Sequence, residues 1–240
     1  MSRKSVPRRR AWGGIAVLTL TGMVVGAWAV AASPIFHIRE VRVNGNRHLS
    51  ASEVVRLAGI ADDANLLALP AEGVERALAR NPWIGSAQVH RSLPSTLVVT
   101  IEERSPVAWV GQPKGVAVVA ADGTVLSRRT NPPEGIVAIG RSGRALGPGA
   151  RIRGFDDQLA VVASLGPSLR RQVERARLER GEMVLRLEDG TLVRYGEARY
   201  LNEKNEALAK VLRWAGKQGA ELTYVDLRVT GNPAVKVRGA

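Results

Sequence analysis

The first thirty-odd residues separate into two blocks. Residues 1–10 are polar, and Ala11 to Ala32 is a 22-residue run with no charge. At about 1.5 Å per residue a helix of that length spans roughly 33 Å, close to the hydrocarbon thickness of a bilayer. Trp12 and Trp28 sit near its ends, where indoles favour the membrane interface. Pro34 discourages continuation of the helix. Beyond it Phe36 to Val43 reads as a strand, closed by the turn residues Asn44-Gly45-Asn46. Ser50 and Glu53 have the spacing of a capping box, with Val54, Leu57 and Ala58 on one helical face and Gly59 as the stop. A second helix reads from Ala71 to Arg80 and ends at Asn81-Pro82. Trp83 to Arg91 is the next strand, with Trp83 assigned to the core. In Leu97 to Glu103, Leu97, Val99 and Ile101 alternate with Val98, Thr100 and Glu102, as expected of a half-buried strand.

Ser105-Pro106 marks a boundary. Past it, Val107 to Val110 and Val116 to Ala121 read as strands, and Asp122-Gly123 as a hairpin turn. Residues 131–135 and the stretch around Gly147 to Gly149 read as loops. Phe155, Leu159, Val162, Leu165, Leu169 and Val173 form one helical apolar stripe, broken at Gly166-Pro167. Met183 to Leu187 and Thr191 to Tyr195 flank a second Asp-Gly turn. Leu201 to Ala215 is helical, with lysines and glutamates on its outer face. Leu222 to Val229 is the last long strand, and Gly231-Asn232-Pro233 turns it toward Ala234 to Arg238. The expected fold class is α+β. A single N-terminal transmembrane helix precedes a β-α-α-β-β domain and a second α+β domain with a largely antiparallel sheet. The domain expectation is 1–10 tail, 11–32 membrane helix, 33–104 first domain and 105–240 second domain.

Charge changes the picture by its placement. The chain holds 35 basic and 22 acidic residues, a net charge of +13. Five of the basic residues, Arg3, Lys4, Arg8, Arg9 and Arg10, precede the uncharged run. The positive-inside rule then keeps the N-terminus in the cytoplasm and places the remainder outside. A cleaved signal peptide with Ala29-Val30-Ala31 as its small-x-small site is the competing reading. The apolar run exceeds the usual length of such a segment. Either reading exports the rest of the chain and argues against a cytoplasmic nucleic-acid role, despite the basic balance. Hydrophobic residues at 45% argue against wholesale disorder.

Candidate chemistry is sparse. With no cysteine, a disulfide scaffold, a thiolate metal site and a cysteine nucleophile are excluded. Three histidines cannot build a histidine-rich metal centre. No nucleophile elbow, P-loop or dinucleotide fingerprint is present. The pairs Glu102-Glu103, Asp156-Asp157 and Glu188-Asp189 read as solvated or capping charges. No cofactor is expected. A dispersed carboxylate pair, as in a membrane-anchored envelope hydrolase, needs no local motif and stays open as an alternative.

Two stretches carry a resemblance. Residues 35–104, opening FHIREVRVNGNRHLSASEV and closing NPWIGSAQVHRSLPSTLVVTIEER, resemble a POTRA domain. The succession RSPVAWV, ADGTVL, GEMVLRLEDGTLVRYG and YVDLRV is similar to the FtsQ/DivIB cell-division family. The basic tail and single apolar segment match that family too. The resemblance implies a bitopic divisome scaffold at the septum and no enzyme. It implies binding of FtsB-like and FtsL-like coiled-coil division proteins, and through them control of septal peptidoglycan synthesis. It also places partner binding on the last strands, here Asp226, Arg228, Val229, Gly231, Val235, Lys236 and Val237. The family's aromatic after Asp-Leu-Arg is Val229 in this chain. Asp226 and Arg228 read equally as an internal ion pair, and the three valines equally as core. Another membrane-anchored POTRA protein, serving export or envelope assembly, is the runner-up.

Overall fold

A computed structural model describes residues 18, 20–26, 28, 30, 32–61, 63–229 and 231–239. Arg3, Lys4, Arg8, Arg9 and Arg10 lie outside the described residues, and so does much of the span expected at 11–32. Among the described residues no helix is long and apolar enough to cross a membrane. The chain divides into two compact units, residues 1–79 with 86–102, and residues 80–85 with 103–240.

The first unit has strand β1 (Glu40–Asn44), helices α1 (Ala51–Ala58) and α2 (Ala71–Leu78), and strands β2 (Ile84–Ser92) and β3 (Thr96–Glu103). Its sheet has the order β1-β3-β2. β1 lies parallel to β3, with Val41 opposite Leu97 and Val43 opposite Val99. The capping box forms as expected: Glu53 N–H donates to Ser50 Oγ, and Ser50 N–H to Glu53 Oε2. Gly59 ends α1 at φ 65°, a left-handed conformation that suits glycine. Leu97, Val99 and Ile101 are buried, as are Val54, Leu66, Val74 and Leu78, and together they make up the apolar interior of this unit. Two readings need correction. Phe36 ends a 3-10 turn, Pro34–Phe36, capped by Ser33, so the first strand begins only at Glu40. Trp83 lies half-buried in the turn before β2, not in the core.

The second unit is built on nine strands. They are β4 (Pro106–Gly111), β5 (Val116–Ala120), β6 (Val125–Arg129), β7 (Val137–Arg141), β8 (Val173–Glu179), β9 (Glu182–Leu187), β10 (Leu192–Gly196), β11 (Leu222–Asp226) and β12 (Ala234–Val237). Three helices join them: α3 (Asp156–Ser164), α4 (Pro167–Arg170) and α5 (Leu201–Gln218). The sheet order is β12-β11-β10-β9-β8-β7-β4-β5-β6. The two Asp-Gly turns fold alike. Asp122 Oδ1 accepts from Thr124 N–H at 3.0 Å, and Asp189 Oδ1 from Thr191 N–H at 2.9 Å. Both glycines have positive φ, 81° and 88°.

The sheet is mixed, not largely antiparallel. The pairs β4–β7, β7–β8 and β10–β11 run parallel. Val173, expected on the helical stripe, opens β8, because the helices stop at Ser164 and Arg170. β7 has no counterpart among the strands expected from the sequence. Val137, Ala138 and Ile139 are all buried, so the run shows no alternation to mark it. Lys204, expected on the outer face of α5, is 3% exposed. Its Nζ donates to Glu197 O at 2.7 Å and lies 5.1 Å from the Tyr195 ring centre, and burial lowers its pKa. One apolar core joins one face of the sheet to α3 and α5, through Leu159, Val162, Leu208, Val211 and Ala215 on the helices.

Candidate C-terminal binding edge

The predicted site residues converge at one end of the nine-stranded sheet. β11 ends at Asp226, three residues earlier than the sequence reading. Leu227 turns inward and is buried, and the chain bends at Arg228 and Val229. Gly231 and Asn232 carry it round, and β12 returns antiparallel to β11. Lys236 stands opposite Tyr224, and Val235 opposite Val225.

β12 is the outermost strand, and its outer flank has no sheet neighbour among the described residues. The hydrogen bonds reveal which groups face outward. Arg238 N–H reaches back to Glu221 O at 2.7 Å, and Lys236 O accepts from Thr223 Oγ1 at 3.1 Å. Backbone groups alternate sides along an antiparallel strand. Lys236 therefore faces β11, and Val235 and Val237 turn their N–H and C=O groups to the open flank. Val235 is 40% exposed and Val229 67% exposed, so neither is core. Val237 is partly buried against the core.

Asp226 and Arg228 hold each other. Arg228 Nη2 donates to Asp226 Oδ2 at 2.7 Å and Arg228 Nε to Oδ1 at 3.0 Å. Arg228 N–H also reaches Oδ1 at 3.0 Å, and Tyr224 Oη donates to Oδ2 at 3.1 Å. The guanidinium lowers the Asp226 pKa to about 2, against the desolvation that raises it. The pair fixes the bend that leads toward β12. Gly196 makes room for it: at φ 75°, a Cβ there meets Arg228 Cγ at 3.0 Å. Arg194, beside the pair, is salt-bridged to Glu182. Arg194 and Gly196 lie in the GEMVLRLEDGTLVRYG stretch, but their place beside Asp226 and Arg228 arises only from the β10–β11 pairing.

This lock predicts a pH dependence. Asp226 has a depressed folded pKa, so its contribution is present above its unfolded value near 4 and fades as pH falls toward 2. Asp226→Asn is expected to cost about 1 kcal/mol at pH 7, the shift being discounted because Arg228 is partly exposed. Urea titrations at pH 7 and pH 2.5 should show that gap closing. An equal gap at both values would remove the ion pair as its cause.

The architecture defines a β-α-α-β-β unit followed by a mixed-sheet unit with an open C-terminal strand. The family model for the POTRA domain, FtsQ-type, matches residues 36–104. The model for cell division protein FtsQ/DivIB, C-terminal, matches residues 107–228. Cell division protein FtsQ of Myxococcus fulvus is 30% identical over 237 residues, covering 93% of this chain and 81% of that protein. The FtsQ of Neisseria meningitidis serogroup B is 30% identical over 197 residues, covering 80% and 78%. That of Corynebacterium glutamicum is 25% identical over 209 residues, covering 85% and 90%. The chain belongs to the FtsQ/DivIB family of cell division proteins. β12 lies beyond the residues matched by the C-terminal model.

Proposed function

We propose that this chain is a non-catalytic, single-pass scaffold of the division machinery in the inner (plasma) membrane, acting at the septum. Residues 1–10 are its cytoplasmic tail, with Arg3, Lys4, Arg8, Arg9 and Arg10 setting orientation next to lipid, and residues 11–32 its membrane helix. Residues 33–104 and 105–240 are its POTRA and FtsQ-type domains outside the membrane. The second domain binds FtsB-like and FtsL-like coiled-coil division proteins and through them helps control septal peptidoglycan synthesis. Membership of a cell-division family favours this reading over an export role.

The open flank of β12 carries the proposal. The outward N–H and C=O groups of Val235 and Val237 await a ladder, and an added strand supplies one. Val229 and Gly231 lie in the bend that leads into β12, Lys236 lies between its two outward-facing valines, and the Asp226–Arg228 lock holds the strand in register. Main-chain pairing asks little of side-chain identity, which accommodates Val229 where relatives of the family carry an aromatic.

Val235→Pro tests it. Proline removes an outward donor and leaves the bonds to β11, as edge strands tolerate. Pull-down of a co-expressed coiled-coil partner by the full chain is expected to weaken about tenfold, with an unchanged melting temperature. Full retention of the partner by the folded variant sinks the edge as the binding site. A cytoplasmic fluorescent tag on the N-terminus should give a mid-cell band at constriction. A uniform envelope signal in dividing cells overturns the septal placement.

A further inference from the structure

A second unfinished ladder lies inside the sheet, away from β12. β7 and β8 run parallel but share a single residue pair, Ala138 opposite Arg175. Each strand is fully paired on its other flank, β7 with β4 as far as Arg141 and β8 with β9 as far as Glu179. Beyond Ala138 and Arg175 a cleft of about 650 Å³ lies between them, within the 300–1,000 Å³ typical of ligand pockets. Its walls include the inner flanks of Ile139 to Arg141 and of Arg177 to Glu179. The fork therefore presents two strand flanks with no ladder between them.

Register assigns its two faces. On the face away from the helices stand Trp109, Arg141, Arg175 and Arg177. Arg141 lies against Gly111, whose Cβ position is 3.0 Å from Arg141 Cγ, and makes no ion pair among the described residues. Arg175 shares Glu174 with Arg186, at 3.8 and 3.3 Å, and Arg177 reaches Glu179 at 3.8 Å. Three arginines thus share two carboxylates, and Arg141 stands beside them without one among the described residues. On the helix face the cleft is lined by Phe155, Leu178 and Gln158. Leu178 is 44% exposed although it follows the core-facing Ala176. Gln158 is 7% exposed, with its side-chain amide among the groups lining the cleft.

We propose that the β7–β8 fork is a second docking site, which takes an extended peptide segment of a partner protein with alternating apolar and acidic residues. The segment enters as a strand. Its main chain bonds the free flanks, its apolar side chains pack on Phe155 and Leu178, and its carboxylates meet Arg141, Arg175 and Arg177. Gln158 reads a main-chain group on the helix face. This site does not depend on the reading of β12.

The test uses the full chain in detergent micelles and a fluorescein-labelled octapeptide of alternating valine and glutamate, followed by anisotropy. Saturable binding is expected, lost when lysine replaces glutamate. Arg177→Glu and Arg141→Glu each alter an exposed side chain and should weaken it at least about tenfold, with unchanged circular dichroism. Val235→Pro should leave it unchanged. Because the chain has no cysteine, Leu178→Cys supplies a single thiol, which a haloacetyl group at the peptide centre should alkylate selectively. Absence of saturable binding overturns the proposal. So does binding indifferent to both charge reversals, or binding lost with Val235→Pro, which would place the peptide on β12. Displacement by oligogalacturonate as effective as by unlabelled peptide would also overturn it, as an anionic-polymer surface in place of a strand site.

Discussion

Gly45→Ala is expected to lower the stability of the POTRA unit by at least about 3 kcal/mol, enough to unfold a marginal domain of this size. Gly45 sits at φ 83°, a region that costs a residue with a Cβ about 1–2 kcal/mol. The larger penalty is steric. A Cβ built there collides with Ile101 O, a backbone atom of β3. Relief requires β1 to shift away from β3, yet β1 is held in this sheet by the parallel pairing of Val41 with Leu97 and Val43 with Val99. Gly59→Ala is the control. It carries the same kind of φ penalty, at 65°, with nothing within 4 Å of the added methyl. Melting of the first unit should fall by about 12 °C or more for Gly45→Ala and by several-fold less for Gly59→Ala. Equal shifts would show that conformation, not the collision with Ile101, governs the position.

The second large effect is expected at Asn205. This side chain ties three elements together. Its Nδ2 donates to Ser164 O at 3.1 Å and Ser164 Oγ at 3.0 Å at the end of α3. Its Oδ1 lies 2.9 Å from Tyr195 Oη on β10, which also lies 3.2 Å from Leu201 O. Burial pushes the Tyr195 phenol up, so it remains a protonated donor. Asn205→Ala leaves the Ser164 acceptors without a donor in a part-buried place and removes an acceptor from the phenol. The expected loss is about 2–3 kcal/mol in urea unfolding, with an unchanged slope. Tyr195→Phe should cost about 1 kcal/mol, and the double variant less than the sum, because the bonds form one network. A loss for Asn205→Ala below about 0.5 kcal/mol would show that apolar contacts alone join α3, α5 and the sheet.

Elements whose physics is local are legible in the sequence. A capping box satisfies donors within one helical turn, so Ser50 and Glu53 announce α1 on their own. Asp-Gly closes a hairpin through bonds spanning a few residues, so both turns of the second unit were visible. β3 shows itself by alternation, because one of its faces meets the core. The last strands at the C-terminus are legible in the same way, whereas Asp226 to Val237 stand out only through the resemblance to the FtsQ/DivIB family.

Sequence by itself therefore determined the α+β class, the succession of elements in the first unit, both Asp-Gly hairpins and the resemblance to the FtsQ/DivIB family. Tertiary structure alone decided which strands are neighbours. β7 is buried on both faces and shows no period, and Val173 fits a helical stripe as well as a strand until Pro167 and the bend after Arg170 end the helices. The parallel ladders join residues far apart in the chain, so no local pattern records them. The same holds for the two places where the sheet stays unfinished, the outer flank of β12 and the fork between β7 and β8. An open flank is the absence of a neighbour, and a strand's neighbours are chosen by the packing of the whole sheet. Asp226 and Arg228 were legible as residues of interest. Their mutual lock, with Gly196 beneath it, came from the chain's bend at Leu227, where a buried leucine takes precedence over strand continuation.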